Sequence, residues 1–178
     1  QKLTLMKTSA DSLKKSADAL NDSSLWEKKK IKKKDEKTGE EIEVEDYDWD
    51  KITKAVKSFV EDYNDVVKEA GESNTKDVLR NATWMTGMTD KNSNMLAKIG
   101  ITIGKGNKLE LDEDALKQAD ISSLKTVFTG YNSFVSKISQ KATGISNAAN
   151  RASATYTNNG TYSKTDSSLT SSKIDKEV

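Results

Sequence analysis

Leu3, Met6, Ala10, Leu13, Ala17 and Leu20 recur at alternating spacings of three and four, with lysine and aspartate between them. A heptad seam of this kind predicts a helix with one apolar stripe. It suits coiled-coil-like packing along another helix, or an amphipathic helix laid on a globular core. Asn21-Asp22-Ser23-Ser24 follows with residues that favour caps and turns, and ends the helix. A second seam lies near the other end of the chain. Tyr131, Phe134, Val135, Ile138, Ala142, Ile145, Ala149, Ala152 and Tyr156 keep a heptad-like spacing, which predicts a helix over 130–156. Its small residues Ala142, Ala148, Ala149 and Ala152 allow a partner helix to approach closely, so the two seams are expected to pack on each other.

Between them the pattern changes twice. Residues 28–34 hold six lysines around Ile31, and residues 40–48 are acidic around Ile42 and Val44, with Lys37-Thr38-Gly39 between them as turn chemistry. A loop at 36–39 sets Ile31 opposite Val44 and Lys33 opposite Ile42. On the other face Lys30, Lys32 and Lys34 then meet Glu45, Glu43 and Glu41, each opposite-charge pair contributing roughly 0.2–1 kcal/mol. The expectation is an exposed charged hairpin over about 26–48, with Trp26 and Trp49 closing its base. Asp48 or Asp50 can cap the next helix, whose stripe of Ile52, Val56, Phe59, Val60, Tyr63, Val66 and Val67 stops near Gly71. A further helix over 76–98 offers Val78, Leu79, Ala82, Met85, Met88, Met95 and Leu96, weakened by Gly87 and the polar run 89–94.

Ile99, Ile101 and Ile103 then alternate with Gly100 and Thr102, and Leu109-Glu110-Leu111 alternates again after a turn at 104–108. This predicts a second short hairpin over about 99–111. Asp112 is the candidate N-cap of a helix through Ala115–Ala119, with Glu113 and Asp114 suited to its positive end. Residues 157–178 are rich in Ser, Thr, Asn and Gly and predict a flexible polar tail. The fold class expected is therefore mainly α, with long antiparallel coiled-coil-like helices and two small β-hairpins. Residues 1–156 form a single elongated domain in this reading.

The order of an IGI segment at 99–101, a glycine turn, Leu109-Glu110-Leu111-Asp112-Glu113 and the apolar end at Val127-Phe128 resembles the carboxyl part of the bacterial flagellar filament cap family, hook-associated protein 2. Phe59-Val60-Glu61-Asp62-Tyr63-Asn64 resembles that family's "FV-x-x-YN" helix. Together the resemblance spans roughly 50–150. It implies a stalk-like helical region of a protein that sits at the filament tip as a ring and guides incoming flagellin. The implied partners are flagellin or other filament subunits and further copies of the chain, in an extracellular setting on the flagellum or cell surface. The segment between the first helix and the 59–64 motif is short where that family carries a large insertion, which keeps a non-flagellar, adhesin-like surface protein on the same scaffold as the alternative, with a cytoplasmic helical adaptor behind it. The assembly interface expected on the seams comprises Leu3, Met6, Leu13, Leu20, Phe134, Ile138, Ile145, Ala149 and Ala152.

Composition narrows the chemistry. Only 34% of the 178 residues are hydrophobic and 32% are charged, which suits thin helical assemblies, and a net charge of +1 argues against nucleic acid as partner. Cysteine and histidine are absent, which removes thiolate metal sites, disulfides and the Ser-His-acid triad. Absent proline permits long helices. Asp90, Asn92 and Asn94 begin like a calcium loop, but Met95 stands where the glycine belongs, so a polar helix break is the better account. Glu110 and Asp112 sit in a strand-to-helix turn where capping outranks acid–base work. Neither a cofactor nor a metal is expected, nor membrane insertion, nor catalysis. No secretory apolar region follows Gln1, so the chain stays inside, has lost a signal, or leaves without a cleaved one; the resemblance favours export.

Overall fold

The computed structural model describes residues 2–160, with side-chain surroundings up to 154. In chain order the elements are α1 (Lys2–Leu20), β1 (Lys29–Lys34), β2 (Glu41–Asp46), α2 (Trp49–Gly71), α3 (Lys76–Lys91), α4 (Ser93–Ala97), β3 (Ile101–Ile103), β4 (Leu109–Leu111), α5 (Glu113–Gln118), α6 (Ile121–Phe128) and α7 (Phe134–Gly160). The fold is mainly α with two separate two-stranded antiparallel sheets, as the sequence pattern predicts.

Four long helices, α1, α2, α3 and α7, make the body. Each buries one stripe because its apolar residues recur at helical spacing: Met6, Ala10, Leu13, Ala17 and Leu20 on α1, Ile52, Val56, Phe59, Tyr63 and Val66 on α2, Val78 and Met85 on α3. From α7 come Val135, Ile138, Ala142, Ile145 and Ala149, all fully buried. The most extensive contact is α1 against α7, the pairing that the two seams predict. It is antiparallel, since Ser139 reaches Asp18 and Ser146 reaches Asp11. Alanines at Ala10, Ala17, Ala142 and Ala149 let the two backbones approach.

A smaller layer of α4, β3, β4, α5 and α6 closes the bundle. Phe128 at the end of α6 stacks on Trp26 with ring centroids 5.6 Å apart and meets Phe59 edge-on, and Phe59 in turn meets Phe134 edge-on. Trp26 thus leaves the base of the first hairpin for the core, where its Nε1–H donates to the Leu20 carbonyl at 2.7 Å. Trp49 remains at the hairpin base, edge-on to Tyr47. The large indole gains more from full burial than from closing an exposed turn.

The helix predicted over 76–98 breaks at Asn92, inside the polar run 89–94 where a break is expected, and the Asn92 side chain donates back to the Met88 carbonyl. Two boundaries differ from expectation. The last helix begins at Phe134 rather than residue 130, because Gly130 takes φ +104° and Ser133 caps the Ser136 N–H. Tyr131, placed on the seam by spacing, is therefore outside the helix and exposed. At the far end α7 runs to Gly160, taking in the first residues of the expected polar tail; residues 161–178 lie outside the described residues. Helix α6 is an addition to the expected elements, carried by Leu124, Val127 and Phe128 facing the core.

Candidate assembly surface

Among the described residues no group of three or more acidic, histidine or cysteine side chains could hold a metal ion, and no helix is long and apolar enough to cross a membrane. The nine expected interface residues are brought together, but inward. Met6, Leu13, Leu20, Phe134, Ile138, Ile145 and Ala149 are buried between α1, α2 and α7, while Leu3 and Ala152 are half-buried at the end of that seam. The seam holds the chain to itself before it can hold a partner.

Flanking the seam is a polar ladder with the same seven-residue repeat. The Asp11 carboxylate accepts from the Ser146 hydroxyl at 2.6 Å and pairs with Lys7 at 2.8 Å. One heptad on, Asp18 accepts from Ser139 at 2.7 Å and pairs with Lys14 at 2.6 Å. The Lys7 ammonium and the Ser146 hydroxyl hold the Asp11 carboxyl below the ordinary range. For Asp18, partial burial pushes upward, but Lys14 and Ser139 outweigh it and the net shift is down. The ladder ends where Asn21 brackets Gly130, its carbonyl accepting the Gly130 N–H at 2.9 Å. The signal was present in the sequence as Ser-Ala-Asp repeated at 9–11 and 16–18 and as serines at 139 and 146, seven apart.

The other face is α3 against α7. Gly144 lets the helices close, because a Cβ there would lie 2.6 Å from Asn81 Oδ1. On the outer side Trp84 is 45% exposed, with the Lys141 ammonium 4.3 Å from its ring centroid. Leu79 is also exposed on α3, and Asp77 joins Arg80 and Arg151 near the far end of α7. Leu79 lies on another side of α3, beside Val67, Ala70 and Gly106, so Trp84 with Lys141 above its ring is a separate exposed aromatic position, of the kind a partner can use as an anchor. Tyr63 and Asn64, in the motif of α2, serve the interior instead. Burial pushes the Tyr63 hydroxyl up to about 12, and it donates to Thr89 Oγ1 at 2.8 Å. Asn64 donates to the Leu109 carbonyl at 2.9 Å and accepts from the Leu109 N–H at 2.7 Å, so one side chain pairs with β4 as a further strand would. Spacing alone did not mark this role.

The family described as flagellar hook-associated protein 2 C-terminus matches residues 71–177, more than half of the chain. No curated protein and no solved structure matches.

Proposed function

Because the chain belongs to the flagellar hook-associated protein 2 family through its carboxyl-terminal region, which gives it a structural role in the flagellum, we propose that it acts as a filament cap that promotes flagellin polymerisation at the filament tip. The match over 71–177 carries this reading. It takes in the β3–β4 hairpin together with α3 and α7, which bear the exposed Trp84 and, above its ring, Lys141. The protein works by binding and assembly, without turnover. Its partners are flagellin or another filament subunit, docked helix-in-groove, and further copies of the chain; its place is outside the cell. Individually weak contacts suffice, because an array of them raises local concentration.

The test mixes the purified chain with flagellin and measures filament elongation and co-sedimentation. A Trp84→Ser variant, altered only at an exposed position of α3, should fold and lose co-sedimentation. Elongation unchanged by the intact chain, with no co-sedimentation, would overturn the reading and favour a surface protein that uses the scaffold for adhesion.

A further inference from the structure

The β1–β2 hairpin lies outside the family match and outside the core, yet its charge is sorted by strand. β1 carries five lysines in six residues, and β2 carries four carboxylates in six. The sheet has two strands only, so both edges are unpaired. Asp35 donates its N–H to the Glu40 carbonyl at 2.7 Å, and alternation from that pair turns the N–H groups of Lys30, Lys32 and Lys34 outward on one edge. The same alternation turns those of Glu41, Glu43 and Glu45 outward on the other. Of the charges on that face only Lys32 and Glu41 form an ion pair, at 4.0 Å. Opposite them Ile31, Ile42 and Val44 make a strip in which Ile42 is exposed.

We propose that this hairpin is a self-recognition module in which the β1 edge of one copy pairs antiparallel with the β2 edge of a second copy. The register that fits inside the hairpin also fits between copies. Lys30, Lys32 and Lys34 meet Glu45, Glu43 and Glu41 of the neighbour, while Ile31 meets Val44, repeating the intramolecular partners. Pairing like edges would set lysine against lysine or glutamate against glutamate, which is destabilising. Lysine on an open edge commonly blocks pairing; here the opposite edge supplies the matching charge, so only the unlike pairing is open. That contact is head-to-tail and propagates from copy to copy. It deepens the assembly reading by naming one self-contact, and it needs no flagellin.

Sedimentation velocity of the full chain, without flagellin, tests it. Association that rises with concentration at low salt and weakens about tenfold or more in high salt is expected, since the pairs are exposed and screened. Lys32→Pro and Glu43→Pro each remove an outward N–H while sparing the inner ladder, and each should leave the chain monomeric with unchanged helical circular dichroism. A variant with the charges of both strands exchanged keeps the complementarity and should still associate with itself. A chain monomeric at every concentration, or one whose association survives Lys32→Pro, would overturn the proposal. Self-association without any effect on flagellin would leave it standing while the cap reading fell.

Discussion

The two hairpins invert the usual expectation that the longer sheet is the firmer one. β1–β2 has six residue pairs, and none of its side chains is fully buried. β3–β4 has three pairs, yet Ile101 and Leu109 are buried and Asn64 of α2 bonds both backbone groups of Leu109. An isolated two-stranded hairpin is marginal in water, and packing against a helix is what makes it independent of length. The lesson is that the short hairpin belongs to the cooperative core and the long one is attached to it. The first is held by tertiary contacts, the second by its own cross-strand pairs.

Substitutions can break this contrast, the largest effect first. Gly100 takes φ +90°, and a Cβ there would lie 2.7 Å from the Asp112 carbonyl and 3.0 Å from the Leu116 N–H, both backbone atoms that cannot swing away. Gly100→Ala should cost roughly 3 kcal/mol by urea unfolding. A cost near zero would mean that the short hairpin is not locked to α5. Asn64→Ala leaves the Leu109 N–H and carbonyl without partners in a partly buried place and should cost about 2 kcal/mol. Equal stability of the variant would show that β4 needs no clip from α2.

The helix seam supplies an intermediate case. Ser139→Ala with Ser146→Ala should cost about 1 kcal/mol near neutral pH, since it removes two hydrogen bonds to partly exposed carboxylates. Both Asp11 and Asp18 titrate below their ordinary value of 3.8 in the folded chain. Their contribution is therefore present above that value and is lost as pH falls through the depressed folded values. Stability of the parent and the variant should converge at acid pH; a gap that stays constant would place the effect elsewhere than in the ladder.

The smallest effects belong to the long hairpin. Ile31→Thr with Val44→Thr should change the global unfolding free energy by less than about 0.5 kcal/mol, while amide exchange within 29–46 speeds up. Asp46 is held below the ordinary aspartate range, first by the Lys33 ammonium at 2.6 Å and then by the Tyr47 N–H. Asp46→Asn should loosen the hairpin base locally and leave the thermal midpoint unmoved. A large drop in midpoint for either variant would mean that the two hairpins do not differ as described.

Much of the architecture was legible because it depends on periodicity and pairing that are local in the chain. The heptad spacing of α1 and α7, the stripe of α2 and the register of β1–β2 each follow from residue type and position. In the hairpin, charge and turn chemistry together admit one alignment, and the pairing of Ile31 with Val44 is what results. Family resemblance was legible for the same reason, as short motifs in a fixed order. The candidate surface was less so. Heptad spacing marks a seam without saying whether the occupant is the same chain or another, and here α1, α2 and α7 fill one another's seams.

Tertiary structure alone decided where the long-range partners went. Trp26 could close a hairpin or enter the core, and the choice rests on Phe128, far away in the chain, which offers a ring to stack on. Asn64 reads in sequence as one more polar position on a helix; its role exists only because β4 is brought 45 residues back onto α2. Tyr131 keeps the spacing of a seam, but Gly130 turns the chain by positive φ and releases it to solvent. Periodicity determines which face of an element is apolar. What lies against that face is set by the closure of the whole chain, where burial and hydrogen-bond satisfaction are shared among elements that no local pattern connects.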